Sequence, residues 1–277
     1  MSNATAVAPT DLYRESAAAH GLTGGLNAVG DVEAARFHEE GYLVVEDAFD
    51  PSEVAQALDG LTYLMDGGDG EFRGVQYEPS MRDAVADLPV EERRTFVRKV
   101  FSFVDHDPRL KAMSGHVPLH RALERIIGAP PVLFQDMALS KPPRMGSEKP
   151  WHQDCAYFEF HPDTAVVGVW IALDEATLDN GCMTYVPGSH KHGIFPIGND
   201  PERPVHHIPD TGDLDLPDPV HCPVPVGSLI FHHGCSLHAS ADNNSASWRK
   251  ALIFHFATSD SSSARDELNE QVSLEID

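Results

Sequence analysis

A histidine and an aspartate lie two residues apart at His152 and Asp154, within the stretch Trp-His-Gln-Asp. On an extended strand, residues i and i+2 point to the same face, so this imidazole and this carboxylate would converge on one point. A distant second histidine would complete a set of two histidines and one carboxylate. Such a set leaves three positions of an octahedral metal open, as non-heme Fe(II) oxygenases require. The residues therefore predict a site for one redox-active metal ion.

The second histidine has three candidates, because His232, His233 and His238 all lie in the downstream stretch HHGCSLHASADNN. The residues alone leave this choice open. His238 differs from the other two in being followed eleven residues later by an arginine, Arg249. We therefore treat His238 as the principal candidate and His232 and His233 as its competitors.

A cation next to such a metal would bind a dicarboxylate. The turn formers at 242–244 predict that one strand ends near His238 and the next begins near Trp248, and pairing of these strands would place Arg249 beside the metal. A guanidinium grips a carboxylate through two parallel hydrogen bonds. 2-Oxoglutarate fits, since its 2-oxo acid end would chelate iron and its far carboxylate would meet Arg249, leaving one position for O2. The alternation along the strand does not decide whether Arg249 or Lys250 faces inward.

Composition bounds the class of protein. The chain has 277 residues, is 42% hydrophobic and carries a formal net charge of −23. It is long enough for a single domain over 1–277, and its charge disfavours nucleic acid and anionic membranes as partners. No apolar run approaches the roughly 18 residues of a membrane-spanning helix, and the four cysteines form no Cys-x-x-Cys pair. We expect a cytoplasmic protein that acts on a small molecule, in an oligomeric state that the sequence leaves open.

The order of elements predicts a mainly β protein with flanking helices. Helical patterns occupy the first half, and short β-prone runs separated by turn residues follow from residue 131, which is typical of an antiparallel sandwich or barrel. Outside these elements we expect a partly ordered N-terminal arm over 1–28 and a lid loop over 192–222. The segments that carry this prediction are helices over 31–40, 50–65 and, in pieces, 90–127, and strands over 42–49, 131–141, 165–175, 182–189, 224–233 and 250–259.

Four stretches of the chain together resemble the phytanoyl-CoA dioxygenase family of Fe(II)/2-oxoglutarate oxygenases. They are MALSKPP, WHQDCAYFEFHP, VWIALDEATLDNGCMTYVPGSHKHG and LHASADNNSASWRKALIFHF. The resemblance extends from about residue 37 to 258 and is densest over 135–258. His-x-Asp alone is a weak signal, but followed by Asn-Gly-Cys, by Pro-Gly-Ser-His and by His-x10-Arg it is specific.

The resemblance implies a double-stranded β-helix, that is, a cupin-like jelly roll. It implies Fe(II) bound by His152, Asp154 and His238, and 2-oxoglutarate bound by Arg249. Further cosubstrate contacts are implied for Lys99, Met137, Gln153, Trp170 and Ser240. Two of these have other interpretations, because Lys99 could lie on the solvated face of a helix and Trp170 could be core. Tyr157, Phe158 and His161 follow the metal motif, and we expect them to line the substrate pocket.

The function implied is oxidation of a small organic substrate with O2, iron and 2-oxoglutarate. Iron halogenases need a vacant position where chloride can bind, and the intact carboxylate of Asp154 therefore favours hydroxylation of an aliphatic C–H bond. The substrate stays open between an acyl-CoA, a free acid, an amine and a natural-product intermediate. The alternative function is a catalytically silent jelly roll that binds a metal or a metabolite.

Overall fold

We describe a computed structural model of the chain, which covers residues 17–160, 165–199, 207–269 and 274. The predicted β-rich architecture with flanking helices is confirmed. The strands, in chain order, are β1 (Tyr42–Val45), β2 (Val75–Tyr77), β3 (Val97–Phe101), β4 (Pro131–Lys141), β5 (Lys149–His152), β6 (Val167–Ala172), β7 (Met183–Tyr185), β8 (Ile197–Asn199), β9 (His207–Pro209), β10 (Val220–Cys222), β11 (Leu229–His233), β12 (His238–Ser240) and β13 (Arg249–Thr258).

These strands form two main antiparallel sheets and one hairpin. The large sheet has seven strands in the order β1-β11-β6-β13-β4-β3-β2, and the small sheet has four in the order β10-β7-β12-β5. β8 and β9 pair with each other in a separate two-stranded sheet. Apart from the consecutive strands β2, β3 and β4, neighbours in the two main sheets are far apart in the chain, as in a jelly roll. Residues distant in sequence are thereby brought to the space between the sheets.

The helices lie mostly before the β-rich half. They are α1 (Asp31–Glu40), α2 (Pro51–Met65), α3 (Val90–Arg93), α4 (Pro108–Ser114), α5 (Val117–Ile127) and α6 (Cys155–Phe158). α2 begins as its sequence predicts, with the Asp50 carboxylate accepting from the backbone N–H groups of Ser52 and Glu53.

Both faces of the large sheet are buried, which explains why alternation could not orient Arg249. Along β13, Leu252, Phe254 and Phe256 pack in one apolar cluster with residues of the helices, whereas Ala251 and Ile253 pack in a second cluster between the two sheets. A strand covered on both sides has no polar face to mark its outside. Arg249 shares its parity with the inner set and is 1% exposed.

Two expectations about strands are wrong. Residues 97–101, which we expected within a helical segment, form the strand β3, where Val97 and Val100 are buried and Lys99 pairs with Leu139 of β4. Buried valines three residues apart match the period of a helix better than the alternation of a strand. Pairing with β4 nevertheless makes a strand, and its pairing with β2 contains a register shift between Gln76 and Tyr77.

The strands at His238 and Arg249 do not pair with each other either. β12 lies in the small sheet between β5 and β7, whereas β13 lies in the large sheet between β4 and β6. The turn formers between them therefore make a crossing from one sheet to the other, and Arg249 reaches the interior from the opposite wall.

The predicted lid loop over 192–222 contains regular structure. Its described residues include the β8–β9 hairpin and β10, which pairs with β7 at the edge of the small sheet. Residues 17–28 of the predicted N-terminal arm also make backbone hydrogen bonds, from Ala19 to His221 and from Leu22 to Val44. In the described part of the chain, no helix is both long enough and apolar enough to cross a membrane.

Candidate active site

A cavity of about 350 Å³ lies between the two sheets and contains most of the predicted site residues. We call it the central cavity. Its lining comes from both walls, with His152 and His238 from the small sheet and His232, Arg249 and His255 from the large one. The jelly roll thus brings five distant polar residues to a single space.

The side chains of His152, Asp154 and His238 converge, with one ligand atom of each within 4.8 Å of the others. Asp154 Oδ1 lies 3.6 Å from His152 Nε2 and 3.7 Å from His238 Nε2. His152 and His238 are direct cross-strand partners on β5 and β12. The spacing argument was wrong in one respect, since β5 ends at His152 and Asp154 has helical backbone angles (φ −63°, ψ −40°) at the start of α6. A turn, not an extended strand, aims the carboxylate at the two imidazoles.

Hydrogen bonds fix which nitrogen of each imidazole is free. The Nδ1 atoms of His152 and His238 lie 2.9 Å from the carbonyl oxygens of Pro150 and Ser236. A carbonyl only accepts, so each Nδ1 carries the proton and each Nε2 presents a lone pair toward Asp154. Burial lowers the pKa of His238 to about 4 and that of His152 well below its ordinary value, which keeps both rings neutral. The donor set therefore fits a divalent metal ion.

The second oxygen of Asp154 is held by two further histidines. Asp154 Oδ2 lies 2.9 Å from His232 Nε2 and 3.1 Å from His255 Nε2, and both nitrogens donate because a carboxylate accepts. Burial alone would raise the pKa of Asp154, but His238 and the hydrogen bonds from His232 and His255 bring it well below its usual range. The carboxylate is therefore ionised and oriented by the protein.

Gly168 makes this arrangement possible. It lies on β6 directly between His232 of β11 and His255 of β13, on one rung of the large sheet. A Cβ atom at this position would overlap the imidazole of His232. The missing side chain leaves room for the two rings that reach across to Asp154.

Arg249 occupies another part of the central cavity, and no carboxylate of the described residues pairs with it. Its guanidinium lies 5.7 Å from the ring centroid of Trp170, and its Nε and Nη1 atoms have no hydrogen-bond partner in the described part of the chain. Burial lowers its pKa to about 10, so the group stays charged at neutral pH. A buried, unpartnered guanidinium is unfavourable unless a ligand supplies the acceptor, and a carboxylate matches its geometry.

Lys141 is a second buried basic residue near Arg249, and we did not predict it from the sequence. It pairs with Arg249 in register across β4 and β13, and its Nζ donates to the carbonyl oxygens of Ser240 and Ala241. Burial lowers its pKa to about 6, with Arg249 as the next cause. Only the strand register could have revealed this pairing.

Four of the five predicted cosubstrate contacts line the central cavity, namely Lys99, Met137, Trp170 and Ser240. Gln153 does not. Its carboxamide donates to the carbonyl oxygens of Gly193 (2.7 Å) and Cys235 (2.6 Å) and accepts from the N–H of Phe195 (2.7 Å). Gln153 is fully buried. Through these bonds it links the start of the segment 192–222 to the backbone between His152 and Asp154.

Of the predicted substrate residues, Tyr157 and Phe158 line the central cavity. Tyr157 is 37% exposed and marks its open side, whereas Phe158 is buried with its ring 4.8 Å from that of His255. His161 lies outside the described residues. Lys149 also lines the cavity near Tyr157, and nothing in the sequence had singled it out.

Comparison with known families gives a match over most of the chain. Residues 37–251 match the family model described as phytanoyl-CoA dioxygenase. A relative from Danio rerio, phytanoyl-CoA dioxygenase domain-containing protein 1, is 25% identical over 272 residues, covering 85% of this chain and 92% of its own. The Mus musculus protein of that description is 34% identical over 161 residues, covering 54% of this chain and 53% of its own, so the match spans about half of that relative.

Solved structures show the same fold. The epimerase SnoN from nogalamycin biosynthesis, in complex with Fe3+, alpha ketoglutarate and nogalamycin RO, superposes with a TM-score of 0.65 over 87% of this chain and 89% of its own. The two sequences are 20% identical. At that identity the likeness establishes the jelly-roll architecture.

Proposed function

Because the chain belongs to the phytanoyl-CoA dioxygenase family, we propose that it is an Fe(II)- and 2-oxoglutarate-dependent dioxygenase. Its reaction would be hydroxylation of an aliphatic C–H bond of a small organic substrate, with release of succinate and CO2. The family uses Fe(II), 2-oxoglutarate and O2. When bound, these supply the oxidising chemistry, and the protein supplies position and a dry site.

One observation carries the proposal. Three metal-type donors, His152, Asp154 and His238, converge in the same cavity that holds the unpartnered guanidinium of Arg249. A metal-binding jelly roll without turnover would need the three donors but has no use for a buried charge that lacks a partner. A dicarboxylate with a chelating 2-oxo acid end uses both.

Each residue then has a separate task. His152, Asp154 and His238 would hold Fe(II), with His232 and His255 fixing the carboxylate. Arg249 would bind the far carboxylate of 2-oxoglutarate, and Lys99, Met137, Trp170 and Ser240 would surround the cosubstrate. Tyr157 and Phe158 would contact the substrate, and we expect residues 192–222 to close over it and exclude water.

Asp154 bears on the type of oxidation. Halogenation would require a position free for chloride, and here the carboxylate is present, ionised and held by two donors. Hydroxylation is therefore the proposed outcome. The four described cysteines are free and buried, which supports a reducing compartment such as the cytoplasm.

The decisive experiment is 2-oxoglutarate turnover by the purified protein. Protein reconstituted with Fe(II) is exposed to O2 and 2-oxoglutarate, and succinate is measured with and without extracts of small metabolites. We expect succinate that depends on both iron and cosubstrate. The Asp154→Ala variant should give none, while the surface variant Lys111→Ala should match the parent. Tight binding of metal or 2-oxoglutarate with no succinate under any condition would favour the silent jelly roll.

A further inference from the structure

The central cavity has a charge opposite to that of the chain. The protein carries a formal net charge of −23, yet the described cavity lining holds six Lys and Arg residues and a single carboxylate, that of Asp154. They are Arg98, Lys99, Lys149, Arg249, Arg265 and Lys141, of which Lys141 is largely neutral at pH 7 because burial lowers its pKa to about 6. Cations concentrated in one cavity of an acidic protein indicate that the cavity binds anions.

Three of these cations already have partners. Arg98 forms a salt bridge with Glu78 at 3.1 Å, and Arg265 forms one with Glu267 at 2.6 Å. Lys141 donates to two carbonyl oxygens. Lys99, Lys149 and Arg249 remain, and none of them forms a salt bridge with a carboxylate of the described residues. The proposed 2-oxoglutarate accounts for Arg249 and, through the family resemblance, for Lys99, which leaves Lys149.

Lys149 lies next to the metal ligands and is only partly exposed. It stands three residues before His152 on β5, and its Nζ lies 4.8 Å from the ring centroid of Tyr157. The Tyr157 ring in turn lies 6.1 Å from that of His152. A cation–π contact orients an ammonium but does not neutralise it. Burial, with Lys99 as the next cause, lowers the pKa of Lys149 to about 8 despite the opposing effect of Asp154.

The charges do not cancel even when the proposed ligands are counted. A divalent metal ion with Arg249, Lys99 and Lys149 outweighs the carboxylate of Asp154 and the two carboxylates of 2-oxoglutarate. The cavity lining also includes apolar side chains, among them Phe101, Phe158 and Ile253. The complementary ligand has a small aliphatic body and an anionic head.

We propose that Lys149 is the headgroup-binding residue for the primary substrate, and that this substrate is a small aliphatic carboxylic acid. The inference rests on the proposed function, because it takes the metal and 2-oxoglutarate positions as occupied. The acid would enter on the Tyr157 side, pair its carboxylate with the Lys149 ammonium and lay its chain against the apolar lining. A CoA thioester has no anion at its acyl carbonyl and would leave this ammonium unpaired.

The test measures binding and not turnover. Protein loaded anaerobically with Fe(II) and saturated with 2-oxoglutarate is titrated calorimetrically with straight-chain acids of four to ten carbons, their primary amides and their CoA thioesters. For at least one chain length we expect the acid to bind roughly ten- to a hundredfold more tightly than its amide, since a hydrogen bond to a charged group has that strength. The CoA thioester should show no advantage over the amide.

Variants assign the preference to one residue. Lys149→Met should reduce acid binding to the level of the amide, Lys149→Arg should retain the preference, and the surface control Lys111→Met should match the parent. Equal binding of acid and amide, binding of neither, or a preference that survives Lys149→Met would overturn the inference. The acid–amide comparison on the unsubstituted protein stands even if Lys149→Met does not fold. A parent protein that fails to load with iron and 2-oxoglutarate would instead overturn the proposed function itself.

Discussion

The two ends of the central cavity satisfy their charges in opposite ways. At the metal end, one carboxylate oxygen of Asp154 accepts hydrogen bonds from His232 and His255. Its other oxygen faces the two neutral imidazoles of His152 and His238. At the cation end, Arg249 has two guanidinium nitrogens without any partner among the described residues. One end is complete apart from its metal, and the other is complete only with a ligand.

The difference indicates which part of the site is formed in advance. Holding Asp154 by its own hydrogen bonds fixes the ligand geometry before a metal arrives, as outer-shell partners do in metal sites. Because Arg249 has no partner among the described residues, binding of a carboxylate ligand there is favoured, since it compensates a buried charge. We therefore expect substitutions at the cation end to weaken 2-oxoglutarate and leave iron in place. Substitutions at the metal end should weaken iron first, and 2-oxoglutarate only through the iron that it chelates.

The largest effect should come from removing a ligand. His238→Ala should abolish stoichiometric Fe(II) binding, because two donors cannot replace three and even outer-shell losses cost about 10- to 100-fold in affinity. Bound iron is measured after gel filtration. His233→Ala is the matched control, since His233 lies on β11 but does not line the cavity. Full iron retention by His238→Ala would show that the wrong histidine is assigned.

Next in size is the loss of the guanidinium. Arg249→Leu should still bind iron but should lose about 3–5 kcal/mol of 2-oxoglutarate binding, which is two to four decades in affinity. Equilibrium dialysis of the iron-loaded protein gives this value directly. Lys250→Leu controls for the neighbouring cation, which is paired with Asp174 at 3.1 Å. Equal 2-oxoglutarate affinities of Arg249→Leu and the parent would remove Arg249 from the site.

A smaller effect should follow from adding a side chain at Gly168, which lies between His232 and His255 on the large sheet. Gly168→Ala would displace His232 from Asp154, and we expect Fe(II) affinity to fall roughly 10- to 100-fold while the Arg249 end is unaltered. Gly70→Ala is the control, because a Cβ there meets nothing within 4 Å. Metal titrations of both variants decide the matter. Unchanged iron affinity in Gly168→Ala would mean that the two donor histidines do not orient Asp154.

The smallest effect concerns pH and the cation end. The folded-state pKa of Lys141 is lowered to about 6, whereas an unfolded lysine titrates near roughly 10.4. Between these two pKa values, Lys141 carries its proton in the unfolded chain but not in the folded protein. The free energy of unfolding therefore rises with pH there, by up to about 1.4 kcal/mol per pH unit. Below the folded pKa both states are protonated, and Lys141 contributes no pH dependence. The free energy of unfolding of Lys141→Met should therefore rise less steeply than that of the parent between pH 7 and 9.

Denaturant titrations at several pH values measure this slope. Lys250→Met should keep the parental slope, because Lys250 is paired with Asp174 and lies outside the cavity lining. Parallel stability curves for Lys141→Met and the parent would show that Lys141 titrates normally in the folded protein.

The sequence predicted the fold class and most of the residues that line the central cavity, but it did not explain how they meet there. The His-x-Asp pair converges through a turn and not through a strand, and His232 was considered only as a rival to His238 although it donates to Asp154. His255 carried no local signal, because its partner lies about a hundred residues earlier in the chain. Spacing within one segment can be read from a sequence, whereas neighbours across two sheets depend on register.

Gln153 constrains how residues 192–222 could move. Its three hydrogen bonds, to Gly193, Cys235 and Phe195, fasten the first residues of that segment to the peptide between His152 and Asp154. A swing that started before Phe195 would break two of these bonds and disturb both metal ligands at once. The pivots of any opening motion would therefore lie between Phe195 and β10, which is paired with β7 in the small sheet, so that the ligand geometry stays unchanged.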